Sequence, residues 1–379
     1  MFISETPPPH CTMMLNPQVT ILFNVRVFDG HQILSPTIIA FSGPTIISLT
    51  QGNFHNAKKI DCKGQILLPG FIDSHVHLSD VKCLQEFRKY GVTTALDMET
   101  YPESRIPPLR AEAANGLTDI RSAGLAAYYK RAGSWPPEGE VASHEDALRF
   151  VVDRVANGAD YIKVIADPSE GMGGLRQEDM ISVVEAAHKF GKRVFAHVVN
   201  PAGFQIAQNA KVDVFTHSPL VSPQEGHAKV TEAIARMFRE KSICIPTLIM
   251  MKMLGELMHN PDLFENAKTA VKMMHSVGVP MIAGTDANNT RAAPVHPTYG
   301  FDFHTELELL VEAGLSPLEA LRSATVVPAQ YLNLGDRGAI SPGMRADLVL
   351  LEADPLHDIR NTRKIAKVWC AGKLFEPRK

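Results

Sequence analysis

Residues 68–77 read Leu-Pro-Gly-Phe-Ile-Asp-Ser-His-Val-His, and the rest of the chain is organised around this stretch. An apolar run ends at Gly70, and Phe71 begins a segment with the composition of a β-strand. Successive side chains of a strand point to opposite faces, so His75 and His77 share one face. Two imidazoles on one face at the end of a strand can bind one divalent metal ion. Histidines at this spacing are also common without a metal, so the prediction depends on the residues that follow.

The composition is that of an ordinary globular protein, with 45% hydrophobic and 21% charged residues. The net charge of -3 excludes a broad basic surface, so we expect no nucleic-acid partner. No apolar run approaches the length needed to cross a bilayer, so we also expect no membrane partner. Residues 1–17 contain three consecutive prolines and no signal pattern, which predicts a flexible N-terminal tail.

The cysteines are odd in number, scattered and not arranged as C-x-x-C. They are Cys11, Cys62, Cys83, Cys244 and Cys370. This usage fits reduced, buried thiols better than a disulfide framework, and it predicts a cytoplasmic protein. We expect a small-molecule substrate and a homo-oligomer.

The two ends of the chain have similar patterns of strand-forming and turn residues. Residues 18–66 contain several short runs of strand formers separated by turn residues, and residues 336–379 repeat the pattern. Val19 to Arg26 and Ala346 to Leu351 are the clearest strands of the two segments. We predict that both ends pair into one small composite β-sandwich beside a central domain.

Residues 67–335 alternate short apolar strands with amphipathic helical stretches. Asp80 to Tyr90, for example, has a helical pattern that stops at Gly91, and a strand pattern follows from Val92. Later strands are predicted over residues 120–128 and 279–285. Such alternation implies a parallel sheet, and eight strand–helix units imply a closed (β/α)₈ TIM barrel.

Active sites of such barrels form at the carboxyl ends of the strands. Beyond the first histidine pair, the predicted strand ends carry Lys163, His197, His217 and Asp286. Each has an ordinary alternative, because a histidine can be a hydrogen-bonded core residue, a lysine can reach the rim and an aspartate can cap a segment. The arrival of all of them at one barrel mouth argues against these alternatives together.

These motifs resemble the metal-dependent amidohydrolase superfamily, and within it the prolidase-like and imidazolonepropionase-like group. The similarity extends from about Val19 to Phe375, and it includes the run from Gly338 to Asp347 that leads back into the predicted sandwich. The motifs are residues 68–77, Gly-Ala-Asp-Tyr-Ile-Lys-Val around Lys163, Ala-His at His197, Thr-His at His217 and Ala-Gly-Thr-Asp-Ala around Asp286.

The resemblance implies two divalent metal ions, with Zn²⁺ as the expected metal. It implies that His75, His77 and Asp286 hold the more buried ion and that His197 and His217 hold the more exposed one. It also implies that Lys163, converted by carbon dioxide to a carbamate, bridges the two ions. An ammonium group cannot bind a cation, whereas a carbamate offers two anionic oxygens. In such a centre a bridging hydroxide attacks a carbonyl, and Asp286 acts as the catalytic proton shuttle.

One departure narrows the function. Many deaminases of the superfamily place an acidic residue shortly after the histidine of the fifth strand. Here His197 is followed by Val198-Val199-Asn200-Pro201, without a carboxylate. This argues against a mononuclear deaminase, and so does Lys163.

Substrate specificity is expected in the loops that follow the strands. After the third strand, Lys130 and Arg131 are candidates to bind a substrate carboxylate, and Tyr129 is a candidate donor to the oxyanion. A solvated loop with an aromatic anchor is the alternative there. After the last strand, Arg291 and His296 are further substrate-binding candidates.

The sequence therefore predicts a metal-dependent hydrolase that cleaves a C–N amide bond in an N-acyl amino acid or dipeptide-like compound. Three alternatives stay open at this stage. They are a lactonase or cyclic-amide hydrolase on the same site, a metal-dependent lyase or decarboxylase of secondary metabolism, and a non-catalytic barrel scaffold.

Overall fold

A computed structural model describes residues 18–377, apart from residues 51, 53, 131–134, 169–170, 221–225 and 292. The predicted tail over residues 1–17 and the substrate-binding candidate Arg131 lie outside this part of the chain.

The strands alternate with helices through the central part of the chain. The strands are β1 (Val19–Val27), β2 (Thr37–Ser42), β3 (Thr45–Ser48), β4 (Lys58–Asp61), β5 (Ile66–Pro69), β6 (Phe71–Val76), β7 (Val92–Asp97), β8 (Asp119–Ser122), β9 (Ile162–Ile165), β10 (Val194–His197), β11 (Val214–Thr216), β12 (Ile243–Ile245), β13 (Leu348–Leu351), β14 (Ile365–Cys370) and β15 (Lys373–Phe375). The helices are α1 (Val81–Lys89), α2 (Ile106–Ala114), α3 (His144–Ala156), α4 (Gln177–Lys189), α5 (Pro201–Asn209), α6 (Gly226–Glu240), α7 (Leu248–Leu257), α8 (Asp262–Val277), α9 (Phe301–Glu312), α10 (Pro317–Ser323) and α11 (Val326–Tyr331). Among the described residues, no helix is long and apolar enough to cross a membrane.

Strands from both ends of the chain share one mixed sheet. Its order is β15-β14-β13-β5-β1-β2-β3, and β4 pairs with β1. Leu22, Phe41, Leu348 and Trp369 are buried in its core, where the rings of Phe41 and Trp369 meet edge to face at 6.3 Å. The two-layered form of a sandwich stays a prediction.

The central strands are parallel, as predicted for an α/β domain. One sheet has the order β6-β7-β8 and the other the order β12-β11-β10-β9. Single parallel bridges extend the four-stranded sheet at both edges, from Val164 of β9 to Ala127 and from Cys244 of β12 to Met281, and a bridge from Val76 of β6 to Ala287 extends the other sheet. The strands of both sheets are almost completely buried, which explains their continuous apolar sequences. This arrangement is consistent with a TIM barrel.

Local sequence explains where several helices begin. Asp80 caps α1 by accepting a hydrogen bond from the Lys82 amide, and Ser143 caps α3 through the Asp146 amide. Ser316 forms a capping box with the third residue of α10. Each such cap is worth about 1 kcal/mol of helix stability. The caps fix the helix starts, and hence the lengths of the loops that precede them.

Two predicted strands are wrong in extent. The strand expected over residues 120–128 ends at Ser122, because Gly124 takes a positive φ of 70° and turns the chain. The strand expected over residues 279–285 is reduced to a single bridge at Met281. Its backbone still bonds on both sides, from the Ile282 amide to the Cys244 carbonyl and from the Ser74 amide to the Ala283 carbonyl. This segment therefore lies between β12 and β6.

Candidate metal centre

Five of the six predicted ligands lie at or just beyond the carboxyl ends of the parallel strands, whereas Lys163, predicted at a strand end, is the second of the four residues of β9. His75 belongs to β6 and His77 follows it, Lys163 belongs to β9, His197 ends β10, His217 follows β11, and Asp286 follows the segment between β12 and β6. Residues separated by more than 200 positions in the sequence therefore meet at one edge of the fold. They form two groups with different contacts.

The first group, which we call the Asp286 cluster, consists of His75, His77 and Asp286. The Oδ1 atom of Asp286 lies 3.3 Å from Nε2 of His75 and 3.1 Å from Nε2 of His77. The two imidazoles thus converge on one carboxylate oxygen, as the alternation of side chains along a strand predicts.

The second group, the His197–His217 pair, joins two neighbouring strands. Nε2 of His217 lies 2.9 Å from Nδ1 of His197, and Nδ1 of His217 lies 2.7 Å from the Thr247 hydroxyl. The pair adjoins the Asp286 cluster, because the rings of His75 and His217 are 5.1 Å apart between centroids. The ligand atoms of His75, His217 and Asp286 all lie within 4.8 Å of one another.

Lys163 is buried beside the His197–His217 pair, with 3% of its surface exposed. Its Nζ donates a hydrogen bond to the Thr216 hydroxyl at 2.8 Å, and that hydroxyl donates to the Ala196 carbonyl at 3.0 Å. The amine is therefore held in the strand layer below the histidines. Its conversion to a carbamate stays a prediction.

Burial and neighbouring charges set the protonation of the Asp286 cluster. Burial lowers the pKa of His75 to about 4, although the Asp286 carboxylate works in the other direction. For Asp286, burial favours the neutral form, but His75 and His77 hold its pKa well below the usual range. Burial also opposes the charged form of His77, yet the Asp286 hydrogen bond leaves its pKa raised.

The electrostatics of the second group are different. Burial, His197 and His75 together hold the pKa of His217 well below its usual value. His217 and His75 are therefore neutral near pH 7, and Asp286 is an anion. Neutral imidazole and ionised carboxylate are the protonation states that metal ligands require.

The backbone is strained at three positions around the centre. His217, Thr247 and Asp286 have φ values of 79°, 49° and 60°. Residues other than glycine rarely occupy this region, and each such residue costs about 1–3 kcal/mol. Hydrogen bonds hold two of them, from the His217 amide to the Ile245 carbonyl and from the Asp286 amide to the His75 carbonyl, both at 2.8 Å. Strain of this kind clusters at functional sites.

Supporting residues that sequence reasoning missed surround the Asp286 cluster. The buried Asp73 carboxylate accepts hydrogen bonds from the Thr285 hydroxyl at 2.7 Å and the Thr285 amide at 3.1 Å, which fixes the residue before Asp286. Tyr299 donates to the His77 carbonyl at 2.9 Å, and Asn288 donates to the Asp286 carbonyl at 2.9 Å. The sequence places Asn288 and Tyr299 in stretches expected to line the mouth and Asp73 two residues before the first histidine, but it predicts a supporting role for none of them.

The donor set fits divalent metal ions. Two ligands that share one tetrahedral zinc ion at about 2.0–2.1 Å lie roughly 3.3 Å apart. The contacts within the two groups, from 2.9 to 3.3 Å, are close to this separation. Imidazole nitrogen and carboxylate oxygen suit zinc and similar ions.

The substrate-binding candidates differ in their contacts. His296 contacts the Asn288 side chain at 2.9 Å and is thereby linked to the Asp286 loop. The ring of Tyr129 lies under two cations, with Nζ of Lys130 5.2 Å and the guanidinium of Arg176 5.0 Å from its centroid. Arg291 is exposed. Their contact with a substrate stays a prediction.

The chain belongs to the amidohydrolase family, whose model matches residues 66–375. This confirms the resemblance to the metal-dependent amidohydrolase superfamily. Curated relatives include an adenine deaminase of Gluconobacter oxydans, 26% identical over 369 residues, and one of Halalkalibacterium halodurans, 22% identical over 385 residues. These matches cover 93% and 96% of this chain but 58% of each relative. The chain thus spans little more than half the length of the curated relatives it matches.

Solved structures extend the likeness of fold. A Xaa-Pro dipeptidase with bound methionine in its active site superposes with a TM-score of 0.80 at 22% identity, covering 95% of this chain and 100% of that one. The A. niger ochratoxinase has a TM-score of 0.77 at 20% identity, covering 96% of both chains. At these identities the structures establish the shared fold alone.

Proposed function

We propose that this protein is a binuclear metal-dependent amidohydrolase that cleaves the amide bond of an N-acyl amino acid or dipeptide-like substrate. The observation that carries the proposal is the meeting of the Asp286 cluster and the His197–His217 pair beside a buried lysine. Membership of the amidohydrolase family supports hydrolysis of a C–N bond, and the dipeptidase-like fold favours a substrate of this size. We also infer that the two parallel sheets close into an eight-stranded barrel.

The ligand roles follow the two groups. His75, His77 and Asp286 would hold one ion and His197 and His217 the other, with a carbamate on Lys163 between them. When bound, such ions polarise a carbonyl and lower the pKa of water to about 7.

Asp286 supplies the proton transfer in this mechanism. Its carboxylate stays ionised, because His75 and His77 hold its pKa well below the usual range. So low a pKa also makes it a weak base, so the bound ions would have to lower the pKa of the attacking water before Asp286 accepts its proton and delivers it to the leaving nitrogen. An amine is expelled only after protonation, so the same group serves as base and then as acid. The Tyr299 and Asn288 hydrogen bonds keep the neighbouring backbone in place during this transfer.

Deamination of a purine-like base is the second candidate, because the curated relatives are named adenine deaminases. It also replaces a C–N bond by attack of water, with ammonia as the leaving group. The run Val198-Val199-Asn200-Pro201 after β10 offers no carboxylate to protonate a ring nitrogen, which favours the amide substrate.

A hydrolysis screen with and without a chelator tests the proposal. The panel holds N-acyl amino acids, dipeptides, lactones, cyclic imides and adenine, with zinc-loaded protein. Chelator-sensitive cleavage of carboxylate-bearing amides is the expected result. Turnover of adenine, lactones or rings without any cleavage of amides would overturn the substrate assignment. No turnover of any compound in the panel would contradict the proposed hydrolase activity and favour a lyase or a non-catalytic scaffold.

The buried cysteines bear on the cellular compartment. Cys62, Cys83, Cys244 and Cys370 are all buried free thiols. Burial raises the pKa of the Cys62 thiol to about 11, so this thiol stays protonated and unreactive. We propose on this basis a reducing, cytoplasmic location.

A further inference from the structure

Helix α7 begins directly after Thr247, and its first two amides face Glu306 on α9. Glu306 is completely buried. Its Oε1 atom accepts a hydrogen bond from the Leu248 amide at 3.0 Å, and its Oε2 atom accepts one from the Ile249 amide at 2.8 Å. The first amides of a helix have no partner within the helix itself. The carboxyl group of a residue on a distant helix therefore caps α7.

Thr247 occupies the N-cap position, where a threonine hydroxyl ordinarily binds an amide of the first turn. In the described structure this hydroxyl makes no such bond, and it lies instead 2.7 Å from Nδ1 of His217. The left-handed backbone of Thr247, with φ 49° and ψ 49°, is unusual for a β-branched residue. Glu306 thus takes over the capping that Thr247 would supply, and the hydroxyl stays available to His217.

The Thr247 hydroxyl can accept a hydrogen bond from Nδ1–H of His217 or donate one to Nδ1, so the roles in this contact depend on the tautomer. If the hydroxyl accepts from Nδ1–H, the lone pair of Nε2 points towards His197, 2.9 Å away. A histidine that binds a metal commonly donates its other N–H to such a partner, which fixes both the tautomer and the ring orientation. The hydroxyl therefore prepares His217 for the ligand role.

We propose that Glu306 is a positioning residue for the His197–His217 pair, because its capping of α7 frees the Thr247 hydroxyl to hold His217 in the Nδ1–H tautomer. The consequence for metal affinity rests on the proposed function. The tautomer itself is a property of the metal-free protein, so the two ideas are separable.

The first test reads the tautomer without metal. Histidine-specific ¹⁵N NMR of the metal-free wild type is expected to show Nδ1–H on His217. In Glu306→Gln, one side-chain oxygen is replaced by an NH₂ group, which cannot accept a hydrogen bond, so one of the two amides of α7 loses its partner. We expect the Thr247 hydroxyl to move towards this unpaired amide. Thr247→Val removes the hydroxyl but leaves the cap. Both variants are expected to shift His217 towards a mixture of tautomers.

The second test measures zinc affinity by competition with a chelating dye. Burial raises the pKa of Glu306 to about 8, although the two amides work against this shift. The titrations are therefore run at about pH 8.5, where more of this carboxyl is ionised. We expect each variant to weaken one of the two zinc sites by about 10- to 100-fold. The double variant, Glu306→Gln with Thr247→Val, should bind zinc only slightly less tightly than the single variant with the lower zinc affinity. Thr247→Ser keeps a hydroxyl, so it should bind zinc as tightly as the wild type.

Glu312→Gln is the matched control, because Glu312 lies on the same helix but is about half exposed and pairs with Lys268. It should change neither readout. A lower melting temperature for Glu306→Gln with wild-type tautomer and affinity would overturn the proposal and leave Glu306 a purely structural cap.

The remaining outcomes are also decisive. If Glu306→Gln does not fold, an unchanged tautomer in Thr247→Val would overturn the link on which the proposal depends. If the tautomer shifts as expected but the wild type binds no metal, the positioning role stands and the proposed function fails.

Discussion

The Asp286 cluster and the His197–His217 pair adjoin each other but are stabilised in different ways. In the cluster, Oδ1 of Asp286 lies 3.3 Å from His75 and 3.1 Å from His77. The negative charge of this carboxylate can balance a bound cation or a proton. In the pair, two imidazoles face each other at 2.9 Å, and the further contact of His217 is a neutral hydroxyl. The difference indicates that the pair depends more on the residues that orient it.

The His197–His217 pair and the Asp286 cluster also differ in the charge that they carry. Two facing imidazole nitrogens can share one proton in the metal-free protein, but burial and the neighbouring histidines hold the pKa of His217 well below its usual value. The Asp286 cluster instead retains an anion whose pKa is lowered by the same imidazoles that it contacts. Chemistry that needs a proton acceptor is therefore expected from the cluster.

The largest expected effect comes from removing that anion. Asp286→Asn keeps the shape of the side chain, so the fold should survive, but the proton shuttle is lost. We expect kcat to fall by about 1,000-fold or more. Steady-state kinetics and a thermal melt measure both quantities. Asp358→Asn is the control, because Asp358 caps a short helix remote from the centre and asparagine caps equally well. Near-normal turnover by Asp286→Asn would refute the assigned role.

Lys163→Arg tests the bridge between the two groups. Arginine keeps the positive charge and a donor for Thr216, but it does not form a carbamate. We expect zinc affinity at both sites to fall by about 10- to 100-fold, and bicarbonate to stop accelerating reconstitution of the metal-free protein. Lys192→Arg, at a lysine that donates to the Ala159 carbonyl, should behave as wild type. Full activity and affinity in Lys163→Arg would show that no carbamate is needed.

The smallest expected effect is on the pH dependence of stability, and it comes from His304, a buried histidine outside both groups. Burial lowers the pKa of His304 to about 3. In the unfolded chain this side chain binds a proton below about pH 6.5, whereas in the folded protein it does not. Its stabilising contribution is therefore present above about pH 6.5 and is lost as the pH falls towards 3, by up to about 1.4 kcal/mol per pH unit.

Urea unfolding at several pH values measures this contribution. Between about pH 4 and 6, wild type should take up nearly one proton more on unfolding than His304→Gln. The glutamine amide can still donate to the Tyr90 carbonyl, which His304 contacts at 3.0 Å. Equal pH slopes for the two proteins would show that His304 is not the responsible group.

The sequence predicts the Asp286 cluster better than the surroundings of the pair. His75 and His77 are two residues apart in one strand, and Asp286 follows a segment that lies beside that strand, so strand periodicity and barrel geometry place all three. Thr247 and Glu306 carry no comparable signal, because their residue types are common and no periodicity links them to partners 30 and 57–58 residues away. Such contacts depend on the packing of α7 against α9.

The fold shows the same division. Apolar strands and helix caps predict the parallel sheets and the helices, because both signals are local. The sequence predicts a full strand before Asp286, whereas the structure has a single bridge at Met281. Within this segment, Gly284 lies so close to neighbouring chain segments that a side chain would not fit. A Cβ at this position would lie 2.9 Å from the His75 amide nitrogen and 2.5 Å from Ile245 Cγ2. A close approach of two chain segments of this kind depends on tertiary packing, which periodicity does not report.

The most direct test of a binuclear centre is the metal content per chain. Zinc-loaded wild type, freed of loosely bound metal and measured by elemental mass spectrometry, should hold about two ions per chain. His197→Asn removes one imidazole of the His197–His217 pair and leaves the Asp286 cluster intact, so this variant should retain about one. A single ion in both proteins would contradict the binuclear centre, and no ion in the wild type would contradict metal-dependent catalysis.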